Sequence, residues 1–217
     1  MAVASQDNQH QSIVEQHSRA VRAQRDFDSR CKLLRHRLAE EDFLSNKGIG
    51  NEVGFFTFCY DSSLELQARA FFDRIVKDSQ AGKLPCTVKA VNLYDVFLQL
   101  LEEKRILKAV PKQELKTGMA KQLKQLQKIA SPEAFAKKIL ELTKPHEYRD
   151  VIVITGVGEV YPFCRAHDLL NNMQADFASV PVVIAYPGTF NGREFRLFST
   201  LASDNYYRAF DLSEELQ

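Results

Sequence analysis

The spacing of apolar residues changes period along the chain, and each change predicts an element. From Ser12 to about Glu40, Ile13, Val14, Val21, Phe27, Cys31, Leu34 and Leu38 recur at intervals of three, four and seven among Arg, Gln and Asp. That is the period of one long amphipathic helix with a thin stripe. The stripe serves either the chain's own core or a partner, and docking on the core is the expectation. Val53 to Tyr60 is an aromatic run, read as a buried strand. Asp61-Ser62-Ser63 offers caps for a helix from Leu64 to Lys77 with Leu66, Ala70, Phe71, Ile75 and Val76 on its apolar side. Cys86 to Val91 is a second strand, and Asn92 caps a helix from Leu93 to about Lys104. Four consecutive β-branched residues, Val151 to Ile154, belong to the middle of a parallel sheet, where both faces are covered. A loop at Thr155 to Glu159, a helix from Tyr161 to Asn172, and a strand from Pro181 to Tyr186 closed by Pro187-Gly188 follow.

Between these α/β units lies a helical stretch. Leu115, Met119, Leu123, Leu126 and Ile129 form one apolar stripe, and Ser131-Pro132 opens another helix with proline at its first position. The alternation predicts an α/β fold: an open, mostly parallel sheet with helices on both faces and right-handed crossovers. Its topology is Rossmann-like or P-loop-like without a P-loop. Residues 1–11 are polar and aperiodic and are read as a disordered N-terminus. Residues 12–45 form the N-terminal helical segment, and residues 46–217 a single α/β domain with a helical insertion at about 105–148.

Composition narrows the class. A chain of 217 residues with 45% hydrophobic content, 15 Phe and 7 Tyr buries a full core without staples. No apolar run approaches the roughly 20 residues a bilayer requires. The N-terminus MAVASQDNQHQ has the marks of no secretion signal. The four cysteines, Cys31, Cys59, Cys86 and Cys164, lie far apart without a CxxC pair, which suggests reduced, buried thiols in a cytoplasmic protein. With 29 basic against 28 acidic residues the whole chain carries no nucleic-acid signature. The stretch 104–144 differs, with eleven Lys or Arg against Glu114, Glu133 and Glu141.

Open α/β sheets bind ligands beyond the carboxyl ends of their strands. The candidate ligand loop there is Thr155, Gly156, Gly158 and Glu159, with Asn191 in the neighbouring segment. Two glycines after a strand allow backbone N–H groups to approach an anion. The chain nevertheless has no GxxxxGK[ST], and Gly156-Val157-Gly158 lacks the third glycine of a dinucleotide fingerprint. A tight strand-to-helix turn is the favoured reading of the glycines, ahead of a ligand loop. Glu159, His167 and Asp168 lie close in sequence without metal-ligand spacing. No GxSxG is present, and Cys59 and Cys164 sit in core patterns. These residues supply no catalytic, cofactor-binding or metal-binding set. The lysine-rich stretch suits a solvated face, an acidic partner or nucleic acid. Tyr206, Tyr207, Arg208 and Phe210 suit either an interface hot spot or a half-buried edge strand.

Several phrases together resemble a known family: Gly50-Asn51-Glu52-Val53 before the aromatic strand, Tyr60-Asp61 after it, Asn92-Leu93-Tyr94, Leu169-Leu170-Asn171-Asn172, Tyr186-Pro187-Gly188, Arg196-Leu197-Phe198 and Asn205-Tyr206-Tyr207-Arg208-Ala209-Phe210. The combination, from about Leu34 to Leu212, resembles the BrxB family of bacterial BREX phage-defence systems. One departure is Ser62, where the family often has proline after Tyr-Asp. The resemblance implies a small cytoplasmic component of a multiprotein system that separates self from phage DNA by methylation. It implies no assigned catalytic residue and no cofactor. Implied partners are the other proteins of the system, first a PglZ-type alkaline-phosphatase-like protein and then the large ATPase. Nucleic acid is expected only weakly or indirectly, and a membrane not at all.

Three functions follow as expectations. The first is a non-catalytic assembly or adaptor subunit in phage exclusion and host DNA methylation. The second is a degenerate nucleotide-binding protein, and the third a DNA-binding adaptor.

Overall fold

Strand β1 (Phe55–Tyr60) is buried along its whole length, and the architecture follows from covering both of its faces. The structure, a computed structural model, describes residues 3–45, 54–202 and 209–213, with side chains from residue 15 onward. A central parallel sheet runs in the order β2 (Thr87–Asn92), β3 (Asp150–Thr155), β4 (Val182–Phe190), β1, β7 (Phe210–Asp211). Two short antiparallel strands, β5 (Phe195–Leu197) and β6 (Leu201–Ala202), extend β4 into a hairpin. The expected α/β class, the mostly parallel open sheet and the long N-terminal helix are all present.

Period-two burial divides the strand side chains between two cores. Ile152, Ile154, Val182, Ile184 and Tyr186 face one side, with α4 (Leu93–Glu103), α6 (Met119–Ile129), α7 (Pro132–Thr143), α8 (Val157–Val160) and α9 (Ala166–Met173). Phe56, Phe58, Val151, Val153 and Val183 face the other, with α1 (Val3–Arg37), α2 (Glu41–Leu44) and α3 (Glu65–Gln80). Helix α1 docks on the chain's own core through its C-terminal half. Leu34 and Leu38 are fully buried, and Phe27 meets the rings of Phe58 and Phe71 at 5.9 and 6.3 Å. Residues 15–22 of the same helix stay exposed.

Capping sets the element boundaries as the residue types suggest. Asn92 Oδ1 accepts from the Tyr94 and Asp95 amides, and Ser131 Oγ accepts from Ala134 ahead of Pro132. Elsewhere the structure differs from the periodicity. Leu66 is 78% exposed, because α3 buries Ala68, Phe72 and Ile75 instead. The expected helix from Tyr161 is broken, since Pro162 forces Tyr161 into extended backbone and α9 begins only at Ala166. The stripe from Leu115 to Ile129 is not continuous. Gly118, at φ +79°, ends α5 (Val110–Thr117) and starts α6. Strand β4 does not close at Pro187-Gly188 but runs to Phe190. Pro187 needs no donor there, and its carbonyl accepts from the Phe198 amide at 2.7 Å. At Gly188 a Cβ would lie 2.0 Å from the Arg196 carbonyl oxygen, so only glycine lets β5 pair closely. Among the described residues, no helix is long and apolar enough to cross a membrane.

Burial of α1 predicts unequal effects along one helix. Leu34→Ala should cost about 2–5 kcal/mol, and Val21→Ala, at an exposed position, less than about 0.5 kcal/mol. Chemical denaturation of the two variants beside the parent chain checks this.

Candidate functional site

The carboxyl ends of β1, β2 and β3 are tied together by one chain of polar groups. Asn92, whose oxygen caps α4, donates through Nδ2 to Glu159 Oε2 at 3.1 Å. Glu159 Oε1 accepts from Arg69 Nη2 at 2.6 Å, and Arg69 Nε donates to Glu65 Oε1 at 3.0 Å. The Tyr60 hydroxyl closes the chain by donating to Glu65 Oε2 at 2.7 Å. Burial, then Glu65, pushes the Tyr60 phenol well above its usual range, so it stays a donor. The hydrogen bond that Arg69 donates to Glu65, with the nearby Glu159 charge, holds the Arg69 guanidinium above its already high value.

Those contacts explain the two-glycine turn. Gly156 sits in the left-handed region at φ +74°, and a Cβ there would meet the Asn92 amide at 2.5 Å. A Cβ on Gly158 would meet Phe198 at 2.9 Å and Pro187 at 3.0 Å. The glycines thus admit the protein's own side chains. Thr155, Gly156, Gly158 and Glu159 are together at this edge. Asn191 serves a different turn, where its Oδ1 accepts from the Arg193 and Glu194 amides at 3.0 and 2.7 Å. His167 engages Asn171 at 3.0 Å, away from the Glu159 pairing. Among the described residues, no group of three His, Cys, Asp or Glu is placed to hold a metal ion.

Two concavities flank the hairpin beside this network. One of about 250 Å³ is lined by Tyr161, Cys164, Arg165, His167, Tyr186 and Thr200. The other, of about 360 Å³, lies between α1 and the ends of β1 and β4, lined by Arg19, Arg22, Arg30, Asp61, Thr189 and Ser199. Within the second, Arg30 is committed to Asp211 at 3.2 Å, and Arg19 faces Asp61 at 3.6 Å. Between the two cavities Phe198 and Ser199 hold φ of +55° and +59°, which strains side-chain-bearing residues. The thiols at the site are not poised for attack. Burial pushes Cys59 and Cys164 each up to about 12, far from the thiolate a nucleophile needs.

Of the interface candidates, Tyr206, Tyr207 and Arg208 lie outside the described residues. Phe210 pairs in β7 with Phe56 of β1, their rings 6.0 Å apart, so it packs the edge of the chain's own sheet. Reading the sequence missed Tyr60, Glu65 and Arg69. Their only signal was the i, i+4 spacing of Glu65 and Arg69 at the start of a helix. The strained pair Phe198-Ser199 has no signal, since neither residue type announces a positive φ.

Comparison with known proteins converges on one family. A family model described as BREX protein BrxB matches residues 89–212. A protein of Bacillus cereus (strain H3081.97) described as BREX protein BrxB is 33% identical over 199 residues, spanning 88% of this chain and 100% of its own length. Another of the same description, from Escherichia coli O9:H4 (strain HS), is 32% identical over 193 residues, spanning 86% of this chain and 91% of its own. No solved structure matches the chain.

Buried, high-pKa thiols predict that iodoacetamide at pH 8 leaves Cys59 and Cys164 unmodified in the folded protein and labels both in denaturant, as read by peptide mass spectrometry. Asp61 gives a pH test. The Ser63 hydroxyl, then the Ser63 amide, hold its carboxyl below the usual carboxylate range. A lowered folded pKa contributes stability above the ordinary carboxylate range, lost as pH falls through the lowered value. Asp61→Asn should therefore destabilise at neutral pH and remove that part of the acid-side loss, measured by thermal melts between about pH 2 and pH 7.

Proposed function

The chain belongs to the BrxB family of BREX proteins, a component of phage defence, and on that premise we propose that it is a non-catalytic assembly subunit. It joins other proteins of the system for phage exclusion and host DNA methylation, first among them the PglZ-type alkaline-phosphatase-like protein. The observation that carries this reading is the internally paired turn after β3. Where α/β enzymes hold substrate, Glu159 is bound to Arg69 and Asn92, and Pro187 and Phe198 cover the two-glycine turn. Both Glu159 carboxylate oxygens are engaged, Oε1 by Arg69 and Oε2 by Asn92. Tyr206, Tyr207 and Arg208 remain the proposed partner contacts, because paired tyrosines with an arginine concentrate binding energy at little entropic cost.

A second reading, nucleotide binding without hydrolysis, draws on the cavity at the ends of β1 and β4, where arginines of α1 face the hairpin. It lacks a P-loop lysine to hold a phosphate.

Two outcomes test the first reading. The isolated chain should show no ATP or GTP hydrolysis above background, and turnover abolished by Glu159→Gln would defeat the non-catalytic assignment. Tyr207→Ala and Arg208→Ala should each reduce co-purification with the PglZ-type protein and lower phage exclusion while leaving Tm nearly unchanged. Phe210→Ala should instead lower Tm, since the Phe210 side chain is part of the sheet's own packing.

A further inference from the structure

The cavity of about 250 Å³ beside the hairpin differs from its neighbour in charge. In the neighbour, Arg30 is held by Asp211 and Arg19 by Asp61. Here Arg165 lines the wall and no Asp or Glu does, since Asp168 lies off it. Among the described residues, the side chains of Arg165, Tyr161 and Thr200 enter no ion pair or hydrogen bond. One guanidinium and two hydroxyls thus offer donors that no carboxylate of the wall takes up. Much of the remaining surface is apolar: Val157 and Leu197 are buried, and Leu201 is 42% exposed. Two segments far apart in sequence build this wall. Tyr161 and Arg165 belong to the crossover from β3 to β4, and Leu197, Thr200 and Leu201 to the hairpin. They meet beside Tyr186 of β4, on the carboxyl side of the sheet, where open α/β folds hold ligands. Thr200 is delivered by a turn that is left-handed at Phe198 and Ser199, closed by the Thr200 amide on the Leu197 carbonyl at 3.1 Å. Backbone of this kind costs free energy and gathers at ligand clamps.

We propose that this cavity binds a small organic anion, its phosphate or carboxylate head on Arg165 and its ring or short aliphatic body against Val157, Leu197 and Leu201. The inference goes beyond the assembly role and does not depend on it. Charge selects the head. An unpaired guanidinium recognises phosphate and carboxylate bidentately, and no acid in the wall repels either. Ala166 and His167 line the same wall at the start of α9, which no side chain caps, and that helix end adds a field of the same sign. Size selects the body. Pockets for drug-sized ligands run from roughly 300 to 1,000 Å³, so about 250 Å³ takes one ring with its head group and no dinucleotide. The wall supplies no nucleophile, because burial pushes the Cys164 thiol up to about 12. The ligand is therefore held without being converted, and it bridges the hairpin to the crossover from β3 to β4.

The test is calorimetric titration of the purified full chain with phenyl phosphate and with benzoate. Saturable binding of at least one is expected, and whichever binds more tightly assigns the head group. Inorganic phosphate, which has no body, and benzyl alcohol, which has no charge, should each bind about tenfold more weakly or not at all. Arg165→Ala should weaken the bound anion about tenfold or more. Leu201→Glu, which adds a carboxylate at an exposed position of the wall, should do the same. The Tm of both ligand-free variants should stay within about 2 °C of the parent, since both side chains are exposed. Arg22→Ala, in the neighbouring cavity, should leave the affinity unchanged. Failure of both anions to bind overturns the inference, and so does binding that survives both Arg165→Ala and Leu201→Glu. Benzyl alcohol binding as tightly as benzoate overturns it as well. Loss with Arg22→Ala alone moves the anion to the cavity beside α1 and refutes the site at Arg165. Each of these failures leaves the assembly role standing, because that role is read from recovery of the partner protein.

Discussion

Strand β1 has no face turned to water, and most of the molecule is arranged to keep it so. Phe55 and Cys59 point into one core while Phe56, Phe58 and Tyr60 point into the other. Parallel β4 pairs along the whole of one edge, and the two-residue β7 pairs with Phe56 and Thr57 on the other. A strand this apolar is stable only between two covered layers, since its exposure would invite pairing with other chains. The second layer is completed from outside the strand–helix alternation. Helix α1 precedes the sheet in sequence and closes over β1 through Phe27 and Leu34, with Leu38 buried just past its end and Arg30 tied to Asp211 of β7. The N-terminal helix is thus a structural wall in its C-terminal half, preceded by exposed residues 15–22.

That arrangement also shapes the carboxyl edge. Strand β1 leads into α3 on one face, and β3 leads through α8 into α9 on the other, so the strand ends between them form the crevice where related architectures bind ligands. Here the part at the β3 turn is occupied by the protein's own groups, and a cavity of about 360 Å³ remains between α1 and the ends of β1 and β4. One network from Tyr60 to Asn92 satisfies its charges internally, and the β4–β5 hairpin brings Pro187 and Phe198 over the turn. A satisfied network in a semi-buried place favours rigidity over chemistry. The cost of close approach is carried by Gly156 and Gly188, and by left-handed backbone at Phe198 and Ser199.

The lysine-rich helical stretch shows the same division between core and exterior. Its second half packs inward through Phe135, Ile139 and the Lys138 pairing with Glu103 and Glu141. Its first half begins with α5, which has no buried side of its own and is separated from α6 by Gly118. A stripe that reads as one helix face in sequence is thus split by Gly118 into a part that stabilises the domain and a part that does not.

The class of fold, the parallel sheet and the capped starts of α4 and α7 were legible in the residues, because period, β-branching and Asn or Ser caps are local physics. Val151 to Ile154 had to be central, and Asn92 had to end one element and begin another. The family resemblance was likewise carried by short phrases that survive without any structure. What only the tertiary structure decided is which apolar positions meet a partner within the chain. Leu66 and Phe72 belong to the same helix, yet the sheet covers Phe72 alone. Leu115 and Leu126 share one period, yet a glycine at φ +79° turns one outward. Two glycines that could approach a phosphate instead admit Asn92 and Phe198, because residues far apart in sequence converge at the strand ends. Local spacing determines what an element can bury, and long-range packing determines what it does bury.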